Sequence, residues 1–420
     1  MSGFAFDDLD DAIEALADRL GVVPASDDPI ADSGESVPSG RILAEAIMAD
    51  RDSPAADVSA MDGYAVSQHV LRPGQRWPVL AECAAGCEPP EVTDDDWHSG
   101  VVRIFTGAVV PRGADRVIKR EDTIEADDDR GTIEFHERAV EVQAGAHIRR
   151  RGENVTAGTT CLRPGRVLDA PATAAAASFG VSRPKLYRQV RVAVMTTGDE
   201  LVSPFSARSS GGRPLAPWQI YNSNSAAIET LFQSCPYVQT TRCLSPPDQP
   251  GPLRQAIGDA MKSHDAVLLT GGVSMGDHDY VPQVVRELGG EVVFHRLPLR
   301  PGKPIFGAAA DGKLLLGLPG NPVSATINAI RFAAPLVDRI AGRTDWLRCP
   351  PRVRLHEPGE KTLPMHWLRP VRVRSDGSVE LVTGKGSGDL VSLVQSDGFI
   401  AMPPDGRGAG PWPFYPWSLL

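Results

Sequence analysis

No apolar run in this 420-residue chain approaches the ~18 residues of a membrane-spanning helix, so no bilayer partner is expected. Positive charge is also in short supply: 43 Lys and Arg stand against 53 Asp and Glu, a net charge of -10. Non-specific nucleic-acid binding through a global positive field is thereby excluded, and an anionic substrate must meet a local basic patch. The six cysteines (Cys83, Cys87, Cys161, Cys235, Cys243, Cys349) contain no CxxC pair. No Cys or His pair follows Cys83 and Cys87 at zinc-site spacing, so buried free thiols are expected in place of a metal knot. The start Met-Ser-Gly-Phe-Ala-Phe-Asp-Asp lacks a basic region followed by an apolar one, which points to the cytoplasm. Internal repeats and low-complexity tracts are missing too.

What is present begins with glycine. Residues 268–279 read Leu-Leu-Thr-Gly-Gly-Val-Ser-Met-Gly-Asp-His-Asp, an apolar strand end entering a small-residue turn and then two carboxylates. Glycines let backbone N–H groups approach an anion closely, and acids beyond them can hold a divalent cation or orient a nucleophile. Phosphate chemistry is the first reading.

The length is roughly two to four times that of a usual domain, so several cores are expected. Leu9, Ile13, Leu16 and Leu20 recur at helical spacing and predict an amphipathic helix whose acidic face is solvated. Residues 65–145 carry short β-branched runs, among them Val101 to Ile104 and Ala114 to Ile118, broken by Gly, Pro and Asp; this is a small β-rich module. Residues 172–180 read as helix and Val190 to Met195 as a buried strand. Strands and helices then alternate: a helix from about Ser225, a strand over Ala266 to Leu269, a helix from about Tyr280, a strand over Lys313 to Leu316. Alternation of this kind implies right-handed crossovers, a mainly parallel sheet between helical layers, and ligands at the strand carboxyl ends. Residues 203–219 read as a mobile loop, and the tail from about 345 as a final β module.

The motifs come in a fixed order. They are Ser59-Ala60-Met61-Asp62-Gly63-Tyr64-Ala65, Thr106-Gly107-Ala108, Arg150-Arg151-Gly152-Glu153, Thr196-Thr197-Gly198-Asp199-Glu200-Leu201, Ile220-Tyr221-Asn222-Ser223-Asn224, Thr270-Gly271-Gly272-Val273-Ser274, Arg300-Pro301-Gly302-Lys303-Pro304 and Leu318-Pro319-Gly320-Asn321-Pro322-Val323-Ser324. In this the chain resembles the molybdopterin molybdenumtransferase family, which includes the E domain of gephyrin, strongly over residues 10–340 and weakly in the tail.

The resemblance implies a multidomain α/β plus β fold: a three-layer α/β/α molybdopterin-binding domain (187–340), an elongated dimerisation domain (1–60 with 146–186), a small inserted β-rich domain (61–145), and a C-terminal β-barrel-like domain (341–420). It implies an enzyme of molybdenum cofactor biosynthesis, inserting molybdate into adenylylated molybdopterin with Mg²⁺-dependent loss of AMP. It implies a homodimer, with Asp62 reaching the site from the partner subunit, and as protein partners the molybdopterin adenylyltransferase and molybdoenzyme chaperones.

The resemblance gives Asp62, Glu200, Asp248 and Asp279 as catalytic acids, the last three also as metal ligands. For the substrates it implies Thr106, Arg151, Thr197, Gly198, Asp199, Gly271, Gly272, Ser274, Arg296, Arg300, Lys303, Pro319, Asn321, Pro322, Ser324 and Ser387. These residue types suit a site that gathers several anions, which needs N–H donors, cations and a metal. Plainer readings stand beside them. Asp199 and Glu200 could cap a following helix, Asp277 could begin the helix ahead of Tyr280, and Asp248 sits in a proline turn. Gly320-Asn321-Pro322 could be a mere turn before a helix. Asp62 could be a solvated turn residue, Thr106 a strand-end hydrogen-bonder, and Arg149 to Arg151 a solvated charge run.

Some positions depart from the family pattern. Asn154 replaces a carboxylate after Gly152-Glu153, Arg296 and Arg300 stand where lysines are common, and Pro364 occupies the place of a tail arginine. Two other functions follow as alternatives: a non-catalytic paralogue that binds molybdopterin or a protein partner, and the related adenylyltransferase, which matches residues 190–335 alone.

Overall fold

The computed structural model describes residues 4–26, 39–125, 131–204, 215–243, 246–273 and 280–419. Two compact units emerge: residues 1–45, 163–174 and 182–420 form one, and residues 46–162 with 175–181 the other. This division cuts across the expected one, because residues 1–45 fall with the α/β sheet.

In the first unit, α1 (Leu9–Ala17) buries Leu9, Ala12, Ile13, Leu16 and Ala17, with Leu20 buried just beyond it. The expected stripe is therefore present, but its acids do more than meet water. Asp8 caps the helix by accepting from the Asp10 and Asp11 N–H groups, and Asp10 accepts from Arg331 at 2.5 Å.

A six-stranded sheet follows, built from β1 (Val190–Thr196), β2 (Val238–Arg242), β3 (Ala266–Thr270), β4 (Glu291–His295), β5 (Phe306–Ala310) and β6 (Lys313–Leu318). Its spatial order is β2-β1-β3-β6-β5-β4. The four strands β2, β1, β3 and β6 pair in parallel, and β5 runs antiparallel to both its neighbours. Side chains alternate across the pleat, and the sequence follows that period. Val190, Val192 and Val194 of β1 enter one core cluster while Ala193 and Met195 enter another. Leu314, Leu316 and Leu318 of β6 join the first, and Leu315 the second. Helices α1 and α2 (Asn224–Gln233) cover the first face, with α5 (Pro322–Asn328) and α6 (Ala334–Ile340). Helices α3 (Pro250–Ser263) and α4 (Val281–Glu287) cover the second. Three layers result because both sheet faces are apolar.

The tail forms a sheet in the order Leu299–Arg300, His366–Val373, Gly398–Met402, Trp412–Pro416, Arg352–Val353, with Val379–Leu381 beside the second strand. Its edge Leu299–Arg300 belongs to the loop after β4, which ties the module to the α/β sheet.

The second unit holds a six-stranded sheet ordered Arg116–Lys119, Gly63–Val66, Val101–Ile104, Arg76–Cys83, Thr132–Phe135, Thr123–Glu125, which is the expected β-rich module. Helix Ala170–Ser178 lies where the alanine run predicts it.

The cysteines correct one expectation: Cys83 and Cys235 are buried, whereas Cys87 and Cys349 are exposed and Cys161 and Cys243 half-buried. All six are free thiols. Among the described residues no helix is long and apolar enough to cross a membrane.

Candidate active site

Three strands end level with one another at the carboxyl edge of the sheet. Thr196 of β1 is in register with Thr270 of β3, and Thr270 with Leu318 of β6. The loops carrying Thr197-Gly198-Asp199-Glu200, Gly271-Gly272-Val273 and Pro319-Gly320-Asn321 therefore leave side by side, where ligands of such sheets bind.

Backbone geometry explains the glycines. Gly271 and Gly272 have φ of 90° and 64°, a region that L side chains resist. A methyl built on Gly271 would stand 2.7 Å from the Thr197 carbonyl oxygen. One built on Gly272 would meet the Thr197 hydroxyl at 3.2 Å and Asp248 Oδ1 at 3.9 Å. Gly271, Gly272, Thr197 and Asp248 thus form one cluster, and the acid is brought in by the proline turn that starts α3. The turn reading of Asp248 is realised, and the turn places its carboxylate near the glycine loop. On the other side of Thr197, Glu200 folds back over Gly198, since a methyl on Gly198 would lie 2.5 Å from Glu200 Oε2. Leu201–Val202 continues directly as a short strand, so neither Asp199 nor Glu200 is a helix cap.

Two asparagines bind the loops together. Asn222 Nδ2 donates to the Thr196 hydroxyl at 2.9 Å. Asn224 Nδ2 donates to the Gly320 carbonyl at 2.8 Å and to the Thr270 hydroxyl at 3.3 Å. Neither stood among the expected site residues, although their motif was matched as a whole. Buried polar atoms here lack partners among the described residues: Thr197 Oγ1, Asn224 Oδ1 and Ser225 Oγ. Buried polar groups ordinarily find partners, so these three atoms mark the polar floor of the strand-end region. Ser274, Asp277 and Asp279 lie outside the described residues. The position just before α4 is Tyr280, which makes no side-chain cap.

The loop after β6 leads onward to a cleft of about 580 Å³. Arg300, Lys303, Pro319, Asn321, Ser324 and Ser387, all among the residues expected at the site, line it. Asn321 occupies the N-cap position of α5 without a side-chain cap bond, and Pro322 opens the helix, so the turn reading is realised in a residue that also lines the cleft. Gly302 (φ 101°) is fixed beneath it, since a methyl there would come within 2.0 Å of Asn328 Nδ2. The tail is anchored by Val323 N–H donating to the Ser387 carbonyl at 3.0 Å.

Arg296 does not line this cleft; its backbone is left-handed (φ 72°) and its N–H donates to the Ile305 carbonyl. Arg369, in contrast, does line it, with its guanidinium 4.0 Å from the centre of the Trp367 ring. Burial pushes the Arg369 pKa down from its ordinary value. The tail thus supplies an arginine, five residues beyond Pro364, through strand pairing that sequence spacing did not reveal. Asp389 also lines the cleft. Donation from the Lys385 N–H first, then from the Ser392 hydroxyl and N–H, holds its carboxyl down at about 2.

In the second unit, Asp62 and Thr106 meet directly. Thr106 donates its N–H and its hydroxyl to Asp62 Oδ1. These bonds, backbone first, lower the Asp62 pKa. The arginine run is locally paired: Arg149 with Glu153 at 2.6 Å, Arg150 with Asp57 at 2.6 Å and Arg151 with Asp52 at 2.5 Å. Asn154 has a structural role in that network, accepting from Arg149 Nη2 at 2.7 Å and donating to the Ser53 hydroxyl at 3.3 Å.

The organisation of the first unit, a doubly wound sheet with glycine turns and acids at its carboxyl edge, defines an α/β protein whose candidate site lies at that edge. Comparisons with known proteins narrow this. Residues 8–180 match the family described as MoeA N-terminal region (domain I and II), and residues 193–339 match the probable molybdopterin binding domain. The molybdopterin molybdenumtransferase of Haemophilus influenzae is 34% identical over 315 residues, 74% of this chain and 73% of that protein. That of Staphylococcus aureus (strain MRSA252) is 30% identical over 408 residues, 95% and 92% of the two chains. The crystal structure of the molybdopterin biosynthesis moea protein from Pyrococcus horikosii superposes with a TM-score of 0.72 at 26% identity, covering 98% of this chain and 99% of that one. The chain belongs to the molybdopterin molybdenumtransferase family.

Proposed function

We propose that this protein acts in molybdenum cofactor biosynthesis as the molybdenumtransferase, inserting molybdate into adenylylated molybdopterin and releasing AMP. One observation carries the reading: a single row of strand ends sets a glycine loop beside the loop that carries Glu200, the turn before α3 adds Asp248 near the glycines, and the third loop of the row continues into a cationic cleft.

The chemistry divides accordingly. Arg300, Lys303 and Arg369 with the hydroxyls of Ser324 and Ser387 suit a tetrahedral oxyanion, to which charge-assisted donors bind most strongly. The Gly272 N–H and the Thr197 hydroxyl suit the phosphates of the pterin nucleotide, while the Gly271 N–H donates to the Leu318 carbonyl and holds the turn in place. In the overall change water adds across the phosphoanhydride, leaving one phosphate on the pterin and releasing AMP, while the two dithiolene sulfurs bond to molybdenum and the oxygen they displace leaves as water with the thiol protons.

The reading includes Mg²⁺. Among the described residues no group of three or more carboxylate, imidazole or thiol ligands converges; Glu200 lies against Gly198 and Asp248 near Gly272. Magnesium commonly takes one or two carboxylates and completes its shell with substrate phosphate and water, and these are the acids available to it. Glu200 and Asp248, with Asp279, would hold it, and when bound it would neutralise charge developing on the departing AMP. The proposal also includes a homodimer, a cytoplasmic location and the domain roles implied by the resemblance.

The test is direct. Purified protein with Mg²⁺, molybdate and adenylylated molybdopterin should release AMP and yield cofactor able to activate an apo-molybdoenzyme. Failure to release AMP above the rate without protein removes the proposal.

A further inference from the structure

Large apolar side chains crowd one exposed stretch beside the strand-end site. Trp218 is 76% exposed, Ile220 55% and Tyr221 48%. Scattered exposed hydrophobics need no explanation, but a cluster containing the largest side chain does.

The backbone holds Trp218 outward. Residues Ala216 to Gln219 form a turn closed by the Gln219 N–H on the Ala216 carbonyl at 2.9 Å, and closed again by the Ala216 N–H on Gln219 Oε1 at 3.2 Å. Pro217 takes the second position, where its fixed φ suits the turn, which leaves Trp218 at the third. The chain then enters strand Ile220–Tyr221, parallel to Leu201–Val202. Ile220 N–H donates to the Glu200 carbonyl at 2.9 Å and Asn222 N–H to the Val202 carbonyl at 3.0 Å. Asn222 in turn holds Thr196. The turn bearing Trp218 is thus tied directly to the segment that carries Glu200 and to the row of strand ends.

Among the described residues, those placed at the strand ends, Thr197, Asn222, Asn224, Thr270 and Gly271, are polar or small and carry no ring. Trp367, in the cationic cleft, is already approached by Arg369 at 4.0 Å and Lys361 at 5.9 Å from its centroid. A nucleotide substrate carries a planar base, whose π-face binds best against an aromatic side chain. We infer that Trp218 is the platform on which the adenine ring of the adenylylated substrate stacks, making it a specificity-determining residue for the nucleotide end. The inference rests on the reading under Proposed function. Neither a protein partner nor a second copy of this chain is needed to account for the exposed ring.

Isothermal titration of AMP and of ribose 5-phosphate into the full chain and its Trp218→Ala and Trp218→Phe variants tests this. Removing the ring should weaken AMP about 5- to 100-fold, the loss of one base stack, and leave ribose 5-phosphate unchanged. Trp218→Phe should recover most of the affinity. With adenylylated molybdopterin, Trp218→Ala should raise KM and spare kcat. Equal AMP affinity in wild type and Trp218→Ala, or equal losses for AMP and ribose 5-phosphate, overturns the inference. A change of oligomeric state in Trp218→Ala with AMP affinity intact also overturns it, in favour of a self-association surface. AMP binding that follows the expected pattern without turnover would fail the proposed activity alone.

Discussion

Thr106 donates both its backbone N–H and its hydroxyl to the same oxygen of Asp62, at 2.8 and 2.7 Å. A strand-end threonine thereby fixes the orientation and the ionised state of an exposed acid. The plain reading of Thr106, a hydrogen-bonder beyond a strand end, is the one realised here.

The first prediction concerns that pair. Thr106→Val removes the hydroxyl donor and keeps the backbone one, so the Asp62 pKa should rise part of the way to its ordinary value, while Thr106→Ser should leave it low. Carboxyl-carbon NMR titration of Asp62 reads the difference. Because the folded pKa is the depressed one, the associated stability is present above the unfolded value and is lost as pH falls through the folded value.

Gly271→Ala should disrupt the glycine turn. A side chain at φ 90° is strained, and its methyl would press on the Thr197 backbone. The expected cost is about 1–3 kcal/mol, measurable by urea unfolding, together with lost nucleotide binding. Gly320→Ala is the control, because a methyl there would meet only Gly271 Cα at an ordinary 3.6 Å.

Arg369→Leu should weaken molybdate binding about 10-fold or more, since a bond from a charged donor contributes roughly 1.5–3 kcal/mol. Arg369→Lys should recover part of it. Arg296→Leu should leave molybdate affinity near wild type, because Arg296 lies outside the cleft lining. Isothermal titration with molybdate alone distinguishes the three.

Asp389 gives a pH signature. Its pKa is lowered from 3.8 to about 2, so its contribution is whole above about pH 4 and fades as pH falls toward 2. Between those values the thermal midpoint of the wild type should fall further than that of Asp389→Asn, which stays neutral throughout. Equal slopes for the two proteins would contradict the assignment.

Much of this architecture was legible in the chain because it depends on local periodicity. Alternating apolar residues in β1 and β6 specify a sheet buried on both faces, and Leu9, Ile13 and Leu16 specify a helix with one apolar stripe. The glycine turns were legible for a related reason: few residues other than glycine accept the φ values of Gly271 and Gly272. Asn222 and Asn224 were harder to find, since nothing in an asparagine's neighbours tells which distant carbonyl or hydroxyl it will hold.

The sequence alone determined the ordered motifs, the apolar strands, the turn residues and the shortage of positive charge. Each depends on a residue and its near neighbours, and those settle backbone preference and burial. Which side chains share a site was decided only by tertiary structure. Strand register set Thr196, Thr270 and Leu318 level, the proline turn aimed Asp248 at Gly272, and sheet pairing in the tail carried Arg369, not the residue at position 364, to the cleft. Those placements depend on contacts between residues tens to hundreds of positions apart, and spacing along a chain carries no record of them.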